Sequence, residues 1–170
     1  MNLIIDQIPE RGRQIVLDTT TEWAMAAVSD TLGVLAESLS GKLQISSKAG
    51  RVSVSGELNT SATCECERCG ESFRLALPVE VELLFDPAPS GAPVEEEEEV
   101  DEEELDIGWY QGNSLNLADV VTEAVALALP IRLECPDTEE CDKRTAKLLA
   151  EKGRSGDSSH PGFAALSKLR

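Results

Sequence analysis

KLQISSKAGRVSVSGELN, residues 42–59, reads as two strands joined by Ala49-Gly50. Polar and apolar residues alternate on both sides of that pair, the period of a half-buried strand. Val52, Val54 and Gly56 fall on one face of the second strand, and Ser53 and Ser55 on the other. A hairpin of this kind is antiparallel by construction, so the chain is built around an antiparallel sheet.

The flanking segments agree with that centre. Before the hairpin, residues 2–9 (NLIIDQIP) predict a short strand closed by Pro9, and residues 13–18 (RQIVLD) predict a second. The run TTTEWAMAAVSDTLGVLAESL places Trp23, Ala27, Leu32, Leu35 and Leu39 at helical spacing. It predicts a helix capped by Thr20 or Thr21, weakened at Gly33 and ended at Gly41. After the hairpin, residues 73–87 (FRLALPVEVELLFDP) alternate again and predict a strand, and residues 105–112 (LDIGWYQG) a short strand or turn. Residues 115–129 (LNLADVVTEAVALAL) give the clearest helix. Leu117, Val120, Val121, Ala124, Val125, Leu127 and Ala128 form its apolar stripe, Asn116 is its cap and Pro130 its stop. A last short helix spans residues 141–153. Strands on both sides of a helix, without regular β-α alternation, predict an α+β fold. Its parts are an antiparallel β-sheet core, a main helix in the C-terminal half and a cysteine knuckle.

Charge divides the chain further. The 170 residues carry 15 Lys+Arg against 32 Asp+Glu, a net charge of −17. A chain this acidic repels phosphate backbones as a whole, which excludes a basic nucleic-acid clamp over its full surface. No apolar run reaches the length of a membrane span. The first residues, with an acid and Pro9 close together, do not read as a secretory signal. Residues 95–104, EEEEEVDEEE, hold nine of the acids and follow PAPSGAP, residues 87–93. Together they read as a self-repelling, solvated loop over 87–104, or else as a docking strip for a basic partner. Residues 142–170 reverse the sign, with seven cations against three acids. The expected organisation is one α+β domain over residues 1–153 and a flexible basic tail over 154–170.

The chemistry-bearing residues are the five cysteines. Without a secretory signal they suggest a reducing compartment, here the cytoplasm, where spaced cysteines more often serve as ligands or redox groups than as disulfides. Cys66-Glu67-Arg68-Cys69 is a CxxC in a polar turn between two predicted strands, the shape of a metal knuckle. Cys135 and Cys141 form a looser pair about 65 residues on. Three readings stay open: a structural zinc ion held by Cys66, Cys69, Cys135 and Cys141; thiols left from such a site; or a redox pair at Cys66 and Cys69. A thioredoxin-like reading fits poorly, since this CxxC does not open a helix. Cys64 reads as a core-facing strand residue. His160, the one histidine, lies in the polar tail, so no Ser-His-Asp or Cys-His set can be assembled. Gly-rich phosphate loops are absent, and the paired carboxylates sit in the solvated acidic run. No catalytic residue is expected, and no small-molecule substrate.

Several of these residues occur together in a known family. The CERC turn, the strand ending in FDPAP, the acidic insert, ELDIGWYQGNSLNLADVVTEAVALALPIRLEC and the closing PGFAALSKLR resemble the YceD family of bacteria and plastids. The matching positions are Cys66, Arg68 and Cys69, then Asp106, Tyr110, Gly112, Leu117, Glu123, Leu129, Pro130 and Cys135. One departure concerns the GDxIDL segment common in the family, where Asn113 and Asn116 replace the two acids. Another is that only Cys135 and Cys141 stand in for a longer cysteine-rich end. The resemblance implies a non-enzymatic factor in ribosome biogenesis that promotes accumulation or processing of large-subunit ribosomal RNA. It implies a precursor large ribosomal subunit as partner, through its RNA or a basic ribosomal protein. The contrasting reading is a zinc- or redox-responsive protein-interaction module with no ribosomal role. On charge and resemblance, Glu123 is expected to pair with Arg68.

Overall fold

Residues 42–59 lie at the centre of a five-stranded sheet. The computed structural model describes residues 1–88 and 107–154. Among these the chain falls into two units, one built from Met1–Thr63 and Arg74–Pro130, the other from Cys64–Phe73 and the chain from Ile131 onward. The acidic run 95–104, Asp106 and the tail 155–170 with His160 lie outside the described residues.

The first unit holds the sheet. Strands β1 (Asn2–Ile4), β2 (Arg13–Asp18), β3 (Ala36–Lys48), β4 (Arg51–Glu65), β5 (Ser72–Pro87), β6 (Ile107–Tyr110) and β7 (Ser114–Asn116) are joined by helices α1 (Glu22–Leu32) and α2 (Leu117–Ala128). The main sheet runs β2-β3-β4-β5-β6, and β1 pairs with β7 in a second, two-stranded sheet. The predicted hairpin is β3–β4, antiparallel, with Lys48 opposite Arg51. Ala49 and Gly50 turn it at φ of 53° and 88°, the positive values that match a tight turn to strand twist. The alternation holds: Val52 and Val54 are buried, while Ser53 shares a 2.7 Å hydrogen bond with Ser46. The fold is α+β and mostly antiparallel. One pair departs from this: β6 runs parallel to β5, with Phe85 opposite Gly108. The core lies between the sheet and the two helices, with Leu17, Leu43, Ile45, Val79 and Val81 meeting Val28, Val120 and Val121.

Two predicted boundaries are corrected. The first helix does not run to Gly41. Gly33 adopts a left-handed φ of 69° and ends α1 there, a conformation glycine reaches without steric cost. The chain then enters β3, where the Ala36 amide donates to Ser29 Oγ at 3.0 Å. Leu39 is therefore a buried sheet residue, and Leu35 is 84% exposed. Residues 2–9 are strand only to Ile4, and Ile5–Gln7 form a 3₁₀ turn.

α2 starts where predicted. Asn116 accepts the Ala118 amide at 3.2 Å, a side-chain cap. Leu117, Val120, Val121, Ala124 and Val125 are buried, whereas Leu127, placed on the same stripe by spacing, is 73% exposed. Asn113, the other amide in place of an acid, donates to Asp6 Oδ2 at 2.7 Å. An aspartate there would set two carboxylates face to face.

Candidate metal centre

The second unit is organised around its cysteines. β4 runs out at Glu65, and residues 66–71 close into a turn. The Gly70 amide donates to the Cys66 carbonyl at 2.8 Å, and the Cys66 amide to the Glu71 carbonyl at 2.9 Å. This turn presents Cys66 and Cys69 from one knuckle. The second pair arrives on another element. α3 (Thr138–Arg154) starts one turn earlier than predicted, because Asp137 Oδ1 accepts the Glu140 amide at 3.0 Å and so caps the helix. Cys141 thus sits in the first turn of α3, and Cys135 in the extended segment before it. The Glu67 amide donates to the Leu133 carbonyl at 2.8 Å, holding that segment against the knuckle.

The four sulfurs converge. Cys66 and Cys141 Sγ are 3.7 Å apart, Cys69 and Cys135 Sγ 3.5 Å, and all four lie within 4.8 Å of one another. Each of these cysteines is buried, and Phe73 packs beside them. Four thiolates at about 2.3 Å from one ion would stand roughly 3.8 Å apart, so the set fits a tetrahedral metal ion. A set closed by four protein sulfurs leaves no position for a substrate, which makes it structural in type. Cys64 is buried in β4 and lies outside the quartet.

The electrostatics favour thiolate at one end of the cluster. Burial opposes ionisation of Cys66, yet the amides of Cys69, Arg68 and Cys135 outweigh it and lower its pKa to about 6. The Cys135 amide is 3.4 Å from that sulfur. Cys69 is lowered too, by the Glu71 amide first, against burial and with help from Arg144. Burial pushes Cys135 up, joined by the sulfurs of Cys66 and Cys69. Cys141 is driven up to about 12 by burial and the same neighbours. A bound cation would reverse that preference by displacing the protons.

Arg144 was not anticipated as part of this site. Its Nη2 donates to Cys135 Sγ at 3.5 Å, and its Nε is buried with no partner among the described residues. The signal was present: Arg144 lies three residues after Cys141, on one side of the helix. Arg68 pairs with Asp142 of α3 rather than with Glu123, which is exposed on α2.

An α+β protein with a four-cysteine cluster held between a CxxC turn and a helix is the class these features define. The chain belongs to the family described as large ribosomal RNA subunit accumulation protein YceD, whose model matches residues 54–170. That match covers both halves of the cysteine quartet. No curated protein and no solved structure matches the chain.

Proposed function

We propose that this protein is a non-enzymatic factor acting on the precursor large ribosomal subunit, and that Cys66, Cys69, Cys135 and Cys141 hold a structural zinc ion. The match of residues 54–170 to the family carries the first part, since the family's description concerns accumulation of large-subunit RNA. The partner is that RNA or a basic ribosomal protein, met in the cytoplasm. Zinc is an ion that four soft thiolates in a closed tetrahedral set hold well. The ion would add folding energy to a unit whose buried cluster is the quartet and Phe73.

Sedimentation tests this reading. In lysate resolved on a sucrose gradient, the protein is expected to co-migrate with precursor large subunits and to be absent from mature ones. Free migration at the top of the gradient under all growth conditions would contradict it.

A further inference from the structure

The acidic balance of the chain makes uncommitted cations informative. Among the described residues Arg51, Arg68, Arg74 and Lys143 are in ion pairs, and Arg144 faces sulfur. Among the described residues Arg11, Arg13 and Lys42 form no ion pair, and all three are exposed. They gather on one region of the first unit. Arg11 and Arg13 flank a hollow of about 410 Å³ at the β2 edge of the sheet, and Lys42 lines a second of about 520 Å³. The two hollows share Gln14 and Gln44, which stand opposite each other in the β2–β3 register.

Strand register puts Gln14, Lys42 and Gln44 on one side of the sheet, while Arg13, opposite Ile45, opens β2 at its edge. Lys42 is opposite Glu57 and Gln44 opposite Ser55 across β3–β4, and Ser40 is opposite Asn59. The side chains alternating with them, Leu43, Val54 and Leu58, are buried on the core side. The solvent side of the sheet here is therefore a row of amides and hydroxyls with Lys42 opposite Glu57, bordered at the β2 edge by Arg11 and Arg13.

We propose that this stretch of sheet, together with its β2 edge, binds the sugar-phosphate backbone of paired RNA. The inference rests on the ribosomal reading above and names the surface and the chemistry of its partner. Arg, Lys, Gln, Asn and Ser are the groups that hydrogen-bond phosphate oxygens and 2′-hydroxyls. No aromatic residue lines either hollow, so nothing there would stack an unpaired base. Recognition is by backbone and shape, without base sequence, as for an A-form stem. Arg11, Arg13, Gln14, Lys42 and Gln44 all precede residue 54, so the family match does not assign this surface.

The test uses the full chain and a labelled RNA stem of about 16 base pairs, a length that presents two successive minor grooves. Binding is followed by fluorescence anisotropy between roughly 50 and 200 mM salt. Two charge-matched variants are compared: Arg11→Gln/Arg13→Gln/Lys42→Gln, and Lys48→Gln/Arg132→Gln/Lys147→Gln, whose cations also form no ion pair among the described residues but line neither hollow. The first is expected to weaken binding at least about tenfold and to flatten the salt slope by close to three phosphate contacts. The second should retain wild-type slope, and a DNA stem of the same sequence should bind less tightly than RNA. Should the first triple variant unfold, Arg11→Gln and Lys42→Gln singly should each remove about one contact from the slope. Equal losses in both triple variants, or an unchanged slope in the first, would overturn the surface. So would co-migration with precursor subunits by a protein that binds no RNA stem, a result that leaves the proposed function standing. Failure to co-migrate contradicts that function instead, whatever the stem-binding result.

Discussion

The sulfur of Cys66 lies 3.7 Å from that of Cys141, though the two residues are 75 positions apart. This approach joins the knuckle after β4 to the first turn of α3. The buried cluster of that unit is the four cysteines, with half-buried Phe73 against them, and α3 is otherwise tied to the knuckle by the exposed Arg68–Asp142 pair and a Thr145 bond to the Arg68 carbonyl. Cys141→Ser is expected to lower zinc affinity by more than the roughly 10–100-fold typical of changes around a ligand set. Hydrogen exchange should accelerate along α3 while β3 and β4 stay protected. Competition with a colorimetric chelator and exchange mass spectrometry read the two effects. Unchanged affinity would remove Cys141 from the ligand set.

Arg144 makes a separate prediction. Its guanidinium donates to Cys135 and is held charged by the neighbouring sulfurs, Cys69 first and then Cys135. Four thiolates on a divalent ion leave two negative charges, which this cation offsets. Arg144→Gln should cost about 10–100-fold in zinc affinity with the fold intact. Arg144→Lys should recover part of the loss, because the charge is kept and the planar fork is not. A Gln variant as tight as wild type would make Arg144 a bystander.

How much of this could be read beforehand depended on range. The β3–β4 hairpin followed from Val52 and Val54 alternating with Ser53 and Ser55, a signal contained within a few residues. The Asn116 cap was equally local. The end of α1 was misplaced because Leu35 and Leu39 continue the helical spacing past Gly33. There the left-handed turn and the sheet pairing of β3 overrode periodicity. Leu127 misled in the same way. The cysteine quartet was assembled correctly by residue type, but the convergence of Cys66 on Cys141 is a tertiary fact that no spacing contains. Arg144 was missed because its role depends on which side of α3 faces the sulfurs.

The cap on α2 can be tested alone. Asn116 accepts the Ala118 amide, and Asn116→Ala leaves that amide without its side-chain partner. A loss of about 1 kcal/mol is expected in the unfolding free energy, while Asn116→Asp should be close to neutral. Urea denaturation measures both. If Ala costs nothing, the cap is decorative.

Arg51 and Asp86 set a pH-dependent term. Arg51 donates through Nε and Nη2 to the two carboxylate oxygens and holds the Asp86 pKa below its ordinary 3.8. A carboxyl lowered on folding stabilises the fold above its unfolded pKa and loses that contribution as pH falls through the folded value. Arg51→Gln should therefore lower the melting temperature slightly at pH 7, an effect that solvent screening keeps small. The gap between wild type and variant should close in acid, well below pH 3.8, and narrow in high salt. A gap that persists in acid would assign the effect to packing of the Arg51 stem.

The most direct test of the metal centre is elemental analysis of the protein purified without chelator. One zinc ion per chain is expected for a closed set of four thiolates, falling to none in a Cys66→Ser/Cys69→Ser variant. A metal-free protein whose α3 amides remain protected from exchange would contradict the account, because the quartet would then be holding its unit together without an ion.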